Sequence, residues 1–278
     1  MPLDGSAGFS PWTHVKQADF TRCFRMAMAV AGHVADRHRG QIIVLDLTAG
    51  PGEVDGAPGS PSIIADVLHE TGRPARVWFF ERDGGAASLL RDRATSWMER
   101  DRRQVFHVVE ADHAEGVPWF IAHELPNLSG PLYGLVYVDA NRRTHLSFDA
   151  LNLLATTPRL RSVDILLNVA ATSWWKRIRA VGKSQRFFYD DIRGIPKMYR
   201  WFRRPVGPPQ WTMIFLSNYP KWSPSKQAGF FAEHSEAGRE IVERLNLSKP
   251  ERQASLQLML PFGDAAVGDR EQVRKDVG

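Results

Sequence analysis

Two rhythms of apolar and polar positions run along this chain, and they exchange repeatedly. From Trp12 to Arg39, the residues Phe20, Phe24, Ala27, Met28, Ala31 and Val34 recur at three- and four-residue spacing, which predicts a long amphipathic helix stopped by Gly40. IIVLDL (Ile42 to Leu47) then replaces the helical period with a short apolar run, the pattern of a parallel strand covered on both faces. Ser60-Pro61 reads as an N-cap followed by proline at the first helical position, so a helix should run through Ile63, Ile64, Val67 and Leu68. The exchange continues with a strand at Arg76 to Arg82, a helix at Ala86 to Arg100, a strand at Val105 to Asp112 and a helix at Trp119 to Leu125. A strand at Gly134 to Ala140, a helix at Phe148 to Leu154 and a strand at Val163 to Val169 follow. Five strands separated by helical patterns predict an α/β fold with a mostly parallel sheet flanked by helices.

Beyond the fifth strand the rhythm lapses into a basic and aromatic stretch. It resumes with a strand at Trp211 to Pro220, a helix at Ala237 to Leu245 and a last strand at Gln253 to Phe262. This predicts one α/β domain over residues 1–262, carrying an insertion or lid at 174–210, and a flexible tail at 263–278. The 278 residues include a single cysteine, Cys23, so neither a disulfide framework nor a cysteine-based metal site is available within the chain. The N-terminus lacks a basic and apolar leader, and no apolar run reaches the roughly 18 residues of a membrane span. A cytoplasmic protein without a membrane partner is the expectation.

The chemistry concentrates at VLDLTAGPGE, where the first strand ends in Asp46 and turns through Thr48, Ala49, Gly50, Pro51 and Gly52. Glycines there let backbone approach a ligand closely, and open α/β sheets bind nucleosides at such a strand-to-loop crossing. Glu81, at the end of the second strand, is placed to accept both hydrogen bonds of a ribose diol. Asp112, at the end of the third, can reach an adenine amine. The alternative is an ordinary tight turn with solvated acids at neighbouring strand ends, but three successive ends carrying Asp46, Glu81 and Asp112 favour the ligand. No P-loop motif occurs. About nine residues separate the glycines from the next helix cap, which departs from the nicotinamide-dinucleotide pattern and leaves an oxidoreductase as a minority alternative.

These residues resemble the three-Cys-motif partner proteins. The resemblance rests on Trp12-Thr13 with Lys16, on D-L-x-A-G-P-G at Asp46 to Gly52, and on G-S-P at Gly59 to Pro61; it extends more faintly to Asp139 and to S-N-x-P at Ser217 to Pro220. It implies a Rossmann-like class I methyltransferase fold, S-adenosyl-L-methionine as cofactor and a cysteine-rich partner protein. Asp46, Thr48, Ala49, Gly50, Gly52, Glu81 and Asp112 would then hold the cofactor. Asp139, Asn141 and Asn168, at the ends of the fourth and fifth strands, would face the methyl acceptor. The chain departs from that family in lacking proline after Asp139, and it lacks the [DN]-P-P-[YF] sequence of amino methyltransferases. A non-catalytic nucleotide-binding partner subunit is therefore the runner-up.

Charge adds a second candidate surface. Net charge is +5, and residues 174–204 alone hold ten cations against two acids. Lys176, Arg177, Arg179, Lys183, Arg186, Lys197, Arg200, Arg203 and Arg204 are interleaved with Trp174, Trp175, Tyr199, Trp201 and Phe202, which suits a groove that tracks nucleic acid. The alternative is a lid whose aromatics pack on the core while its cations face water. The histidines show no metal-ligand spacing, and no serine or cysteine nucleophile has a partner, so no metal is expected.

Overall fold

The computed structural model describes residues 13–140, 146–170, 187–206, 211–219 and 229–246. They belong to a compact unit ending at Asn246. The strand expected at Gln253 to Phe262 and the tail from Gly263 lie outside the described residues.

The first helix, α1 (Thr13–His38), leads into β1 (Gln41–Asp46) through Arg39, whose φ of 50° ends the helix in the left-handed region before Gly40 is reached. A small hairpin of β2 (Glu53–Val54) and β3 (Ala57–Pro58) precedes α2 (Ser60–Thr71). Then come β4 (Ala75–Glu81), α3 (Gly84–Arg100), β5 (Gln104–Glu110), α4 (His113–Trp119), β6 (Leu132–Ala140), α5 (Phe148–Thr156) and β7 (Val163–Ala170). The remainder is α6 (Phe187–Arg193), β8 (Tyr199–Arg203), β9 (Trp211–Ser217), β10 (Phe230–Ala232) and α7 (Glu236–Asn246).

Eight strands form one sheet in the order β10-β8-β9-β7-β6-β1-β4-β5. The five strands expected from the apolar pattern pair in parallel, whereas β9 runs antiparallel to β7 and to β8, and β10 antiparallel to β8. This is the expected Rossmann-like arrangement of a mostly parallel sheet flanked by helices. Strand order reverses at β1, which has β4 on one side and β6 on the other. Such a switch point opens a crevice beyond the carboxyl ends of the strands.

Successive strand residues feed opposite cores, as the two-residue period requires. Val44, Val77, Phe79 and Leu135 pack with Phe20, Phe24, Ile64 and Leu90 from α1, α2 and α3. Ile43, Leu45, Trp78 and Val136 pack with Val117, Leu151 and Ile241 from α4, α5 and α7. No described helix is long and apolar enough to cross a membrane.

Three local expectations change. The helix expected at Trp119 to Leu125 begins earlier, at His113, because Asp112 caps it by accepting from the Ala114 amide at 2.9 Å. Pro118 offers no N–H, and past Trp119 the chain loosens into a π-type turn, Phe120–Glu124. Ser60 is the first helical residue rather than the cap, which is Gly59. The stretch 174–210 is not wholly an insertion: Tyr199–Arg203 is a sheet strand, with Trp201 in one core and Phe202 in the other.

Candidate functional site

The site is built at the carboxyl end of β1, where the chain leaves the sheet between two neighbours. The Leu47 amide donates to the Tyr137 carbonyl on the β6 side, and the Ala49 amide donates to the Phe80 carbonyl on the β4 side. Gly50 and Gly52 then take φ of 70° and 87°, left-handed values that favour glycine. A Cβ on Gly50 would meet nothing within 4 Å, so the turn presents bare backbone to open space. At the far side of the loop Gly59 N and Ser62 Oγ both donate to the Gly52 carbonyl at 2.7 Å, anchoring the turn to the start of α2.

The three candidate acids have different environments. Asp46 is fully buried and braces the turn, accepting from Thr48 N at 3.1 Å and from Ser60 Oγ at 2.6 Å. Burial pushes its carboxyl up to about 7, against the pull of those two hydrogen bonds. Glu81 accepts from Gly50 N at 2.7 Å on one oxygen and from Asp83 N at 2.8 Å on the other. It is half-buried at the rim, with lone pairs left for a further donor. Asp112 caps α4 with one oxygen and is 41% exposed, so it too can accept another bond.

Across the switch point, the Asp139 amide donates to Thr48 Oγ1 at 2.8 Å, tying the end of β6 to the glycine turn. Its carboxylate receives Asn168 Nδ2 at 3.3 Å from β7 and the Lys16 ammonium at 2.5 Å from the first turn of α1. Asp139 and Asn168 are thus brought together, while Asn141 lies outside the described residues. Lys16 was legible only as part of the resemblance. A second signal was available, since it sits four residues before Phe20 on the apolar stripe of α1, where a cation needs an internal partner.

The basic segment divides. Lys176, Arg177, Arg179, Lys183 and Arg186 lie outside the described residues. Lys197 does not face solvent: it is 3% exposed, and its ammonium donates to the Val163 carbonyl at 2.6 Å and the Arg161 carbonyl at 3.2 Å. Burial pushes that ammonium's pKa down, with Asp164 opposing. Arg200 donates to the Arg193 and Ile195 carbonyls at 2.8 and 2.9 Å, and Arg203 pairs with Asp19 at 2.5 Å. All three are thus engaged by groups within the fold. Arg204 is 55% exposed, lies 3.5 Å from Glu240 and extends over the Phe231 ring.

No family model and no curated protein matches the sequence. Among solved structures, the chain is similar in fold to protein LPL1258 from Legionella pneumophila, with 11% identity, a TM-score of 0.51, and coverage of 75% of this chain and 88% of that one. Lower scores are found with the fibrillarin/Nop5p complex, at 12% identity and a TM-score of 0.42 over 70% of this chain and 83% of that chain. The N-methyltransferase NodS from Bradyrhizobium japonicum gives 8% identity and a TM-score of 0.39 over 76% of this chain and 99% of that one.

Proposed function

We propose that this chain is an S-adenosylmethionine-dependent methyltransferase acting on a nucleic acid or a nucleotide-bearing molecule. The observation that carries the reading is the glycine turn at the switch point, open at Gly50, with the half-buried Glu81 carboxylate against its amide. That arrangement fits a nucleoside. The Gly50 and Gly52 backbone would line it, Glu81 would accept from its ribose diol, and Asp112 would accept from the adenine amine. When bound, the sulfonium supplies a methyl group that needs only a nucleophile in line with the carbon–sulfur bond. The protein's part is then largely alignment.

Asp139, Asn168 and Asn141 are assigned to the acceptor side. Asp139 is joined to the turn through Thr48, so an acceptor held by its carboxylate is registered against the cofactor. If the acceptor is an amine, Asp139 would accept its N–H bonds and direct the nitrogen lone pair at the methyl; if it is a hydroxyl, Asp139 would take its proton. The nucleic-acid or nucleotide acceptor is supported by the ten cations of residues 174–204, of which Lys176 to Arg186 and Arg204 remain as contacts.

A second reading, a non-catalytic nucleotide-binding partner of a cysteine-rich protein, is favoured by the contact of Lys16 with Asp139, since the acceptor-side acid already has a cation. Calorimetric titration with S-adenosylhomocysteine and, separately, with NAD tests the cofactor. Saturable binding of the homocysteine nucleoside is expected, and Glu81→Ala should weaken it by about 1–3 kcal/mol, the scale of a hydrogen bond to a charged group. Heat with NAD alone would replace this reading with an oxidoreductase.

A further inference from the structure

We propose that Lys16 is a positioning residue for methyl transfer, acting through Asp139 and held in place by Trp211. This rests on the methyltransferase reading above.

Lys16 is delivered from an unexpected direction. The other groups around Asp139 come from sheet strands or the turn after β1, whereas Lys16 comes from the first turn of a helix packed on one face of the sheet. Its side chain is only 18% exposed. The ammonium lies 2.5 Å from Asp139 Oδ2 and 4.4 Å from the centre of the Trp211 ring, so a carboxylate and an aromatic face hold it together. Trp211 is the first residue of β9 and pairs with Ala170, the last residue of β7, which puts it at the same carboxyl edge as Asp139 and Asn168.

The geometry leaves Asp139 a defined orientation. One carboxylate oxygen is taken by Lys16, the other by Asn168, and the backbone N–H by Thr48. A carboxylate has about four lone-pair sites, so two remain for an acceptor group. Without Lys16, the carboxylate would keep the single long contact to Asn168 and could rotate about its side-chain bonds. A surface pair would be worth little, but this one is mostly shielded from water and is joined to the cofactor turn by one residue, Thr48. Misplacement of a reacting partner by about 1 Å can cost on the order of 10²-fold in rate, and this is the effect assigned to Lys16.

The experiment is a double-mutant cycle on Lys16→Ala and Asp139→Ala, reading methyl transfer from labelled S-adenosylmethionine to mixed-sequence single-stranded DNA and RNA oligonucleotides. Calorimetry with S-adenosylhomocysteine and thermal denaturation run in parallel. Lys16→Ala should lower kcat by on the order of 10²-fold while cofactor affinity stays within about twofold. Lys16→Arg, which keeps a cation, should recover part of the rate. The double variant should be no slower than Asp139→Ala alone, because groups that act as a unit are not additive. Additive losses, or a rate loss matched by equal losses of cofactor affinity and thermal stability, would show a merely structural role and overturn the proposal. A native protein that binds the cofactor product but methylates neither oligonucleotide overturns the transferase reading and, with it, the role of Lys16. That failure is distinct from an active native protein indifferent to Lys16→Ala.

Discussion

Asp46 illustrates how one carboxyl can serve structure at the centre of a candidate site. It has no solvent contact, and its two hydrogen bonds, from Thr48 N and Ser60 Oγ, offset only part of the cost of burying a charge. Its pKa is raised to about 7 in the folded chain, from an ordinary value near 3.8. The folded state therefore holds a proton that the unfolded state has released between those two values. The stabilisation associated with that proton is complete below about pH 4 and is lost as pH rises towards 7, at up to about 1.4 kcal/mol per pH unit. Asp46→Asn keeps the shape and removes the titration. Urea midpoints at pH 5 and pH 8 should therefore fall further with rising pH in the native protein than in Asp46→Asn; equal falls would remove Asp46 as the cause. The sequence pattern puts Asp46 and Glu81 at the ends of their strands, because an apolar run fixes where a strand ends, whereas Asp112 falls two residues past β5 as the cap of α4. It does not reveal which way each carboxylate turns. Asp46 turns inward because Ser60, fourteen positions later, returns across the β2–β3 hairpin to meet it.

At the scale of elements, the parallel half of the sheet is legible and the antiparallel half only partly so. β1, β4, β6 and β7 are apolar runs between glycine-, proline- and polar-rich turns, and β5, though only partly buried, alternates within the same pattern. β8 reads Tyr-Arg-Trp-Phe-Arg within a basic tract, so its charges suggest a surface, yet Trp201 and Phe202 enter opposite cores. The cations that obscured it are held by distant partners: Asp19 on α1 for Arg203 and the Val163 carbonyl for Lys197. Such pairings have no periodic trace in sequence. β6 carries a different hidden constraint. Gly134 pairs with Ile43 of β1 at a φ of 141°, and a Cβ there would lie 1.8 Å from the Ile43 carbonyl oxygen. Because β1 and β6 flank the switch point, they cannot separate without moving Thr48 away from Asp139. Gly134→Ala should destabilise the fold by more than about 3 kcal/mol, combining backbone strain with the clash. Denaturant titration reads this directly, and a loss under about 1 kcal/mol would mean that the two strands yield easily.

Over the described part of the molecule, several cations of the basic tract are engaged within the fold, whereas Arg204 is exposed. Lys197, Arg200 and Arg203 contribute to the count of ten in residues 174–204, but each is engaged internally. A polyanion would therefore be met by Lys176, Arg177, Arg179, Lys183 and Arg186, followed by the exposed Arg204. Binding through phosphate contacts releases counterions, so affinity for a single strand should fall with salt at a logarithmic slope of about 0.7 per contact. Reversing Lys176, Lys183 and Arg204 to glutamate removes three such contacts. The slope for a mixed-sequence oligonucleotide, followed by fluorescence anisotropy, should then fall by about 2 in magnitude while S-adenosylhomocysteine affinity is unchanged. Arg203→Glu should behave differently. It sets a carboxylate against Asp19, so it lowers thermal stability rather than selectively flattening the salt dependence. A triple variant with the native slope would remove this tract as the nucleic-acid surface and leave the packed lid as the account of its charge.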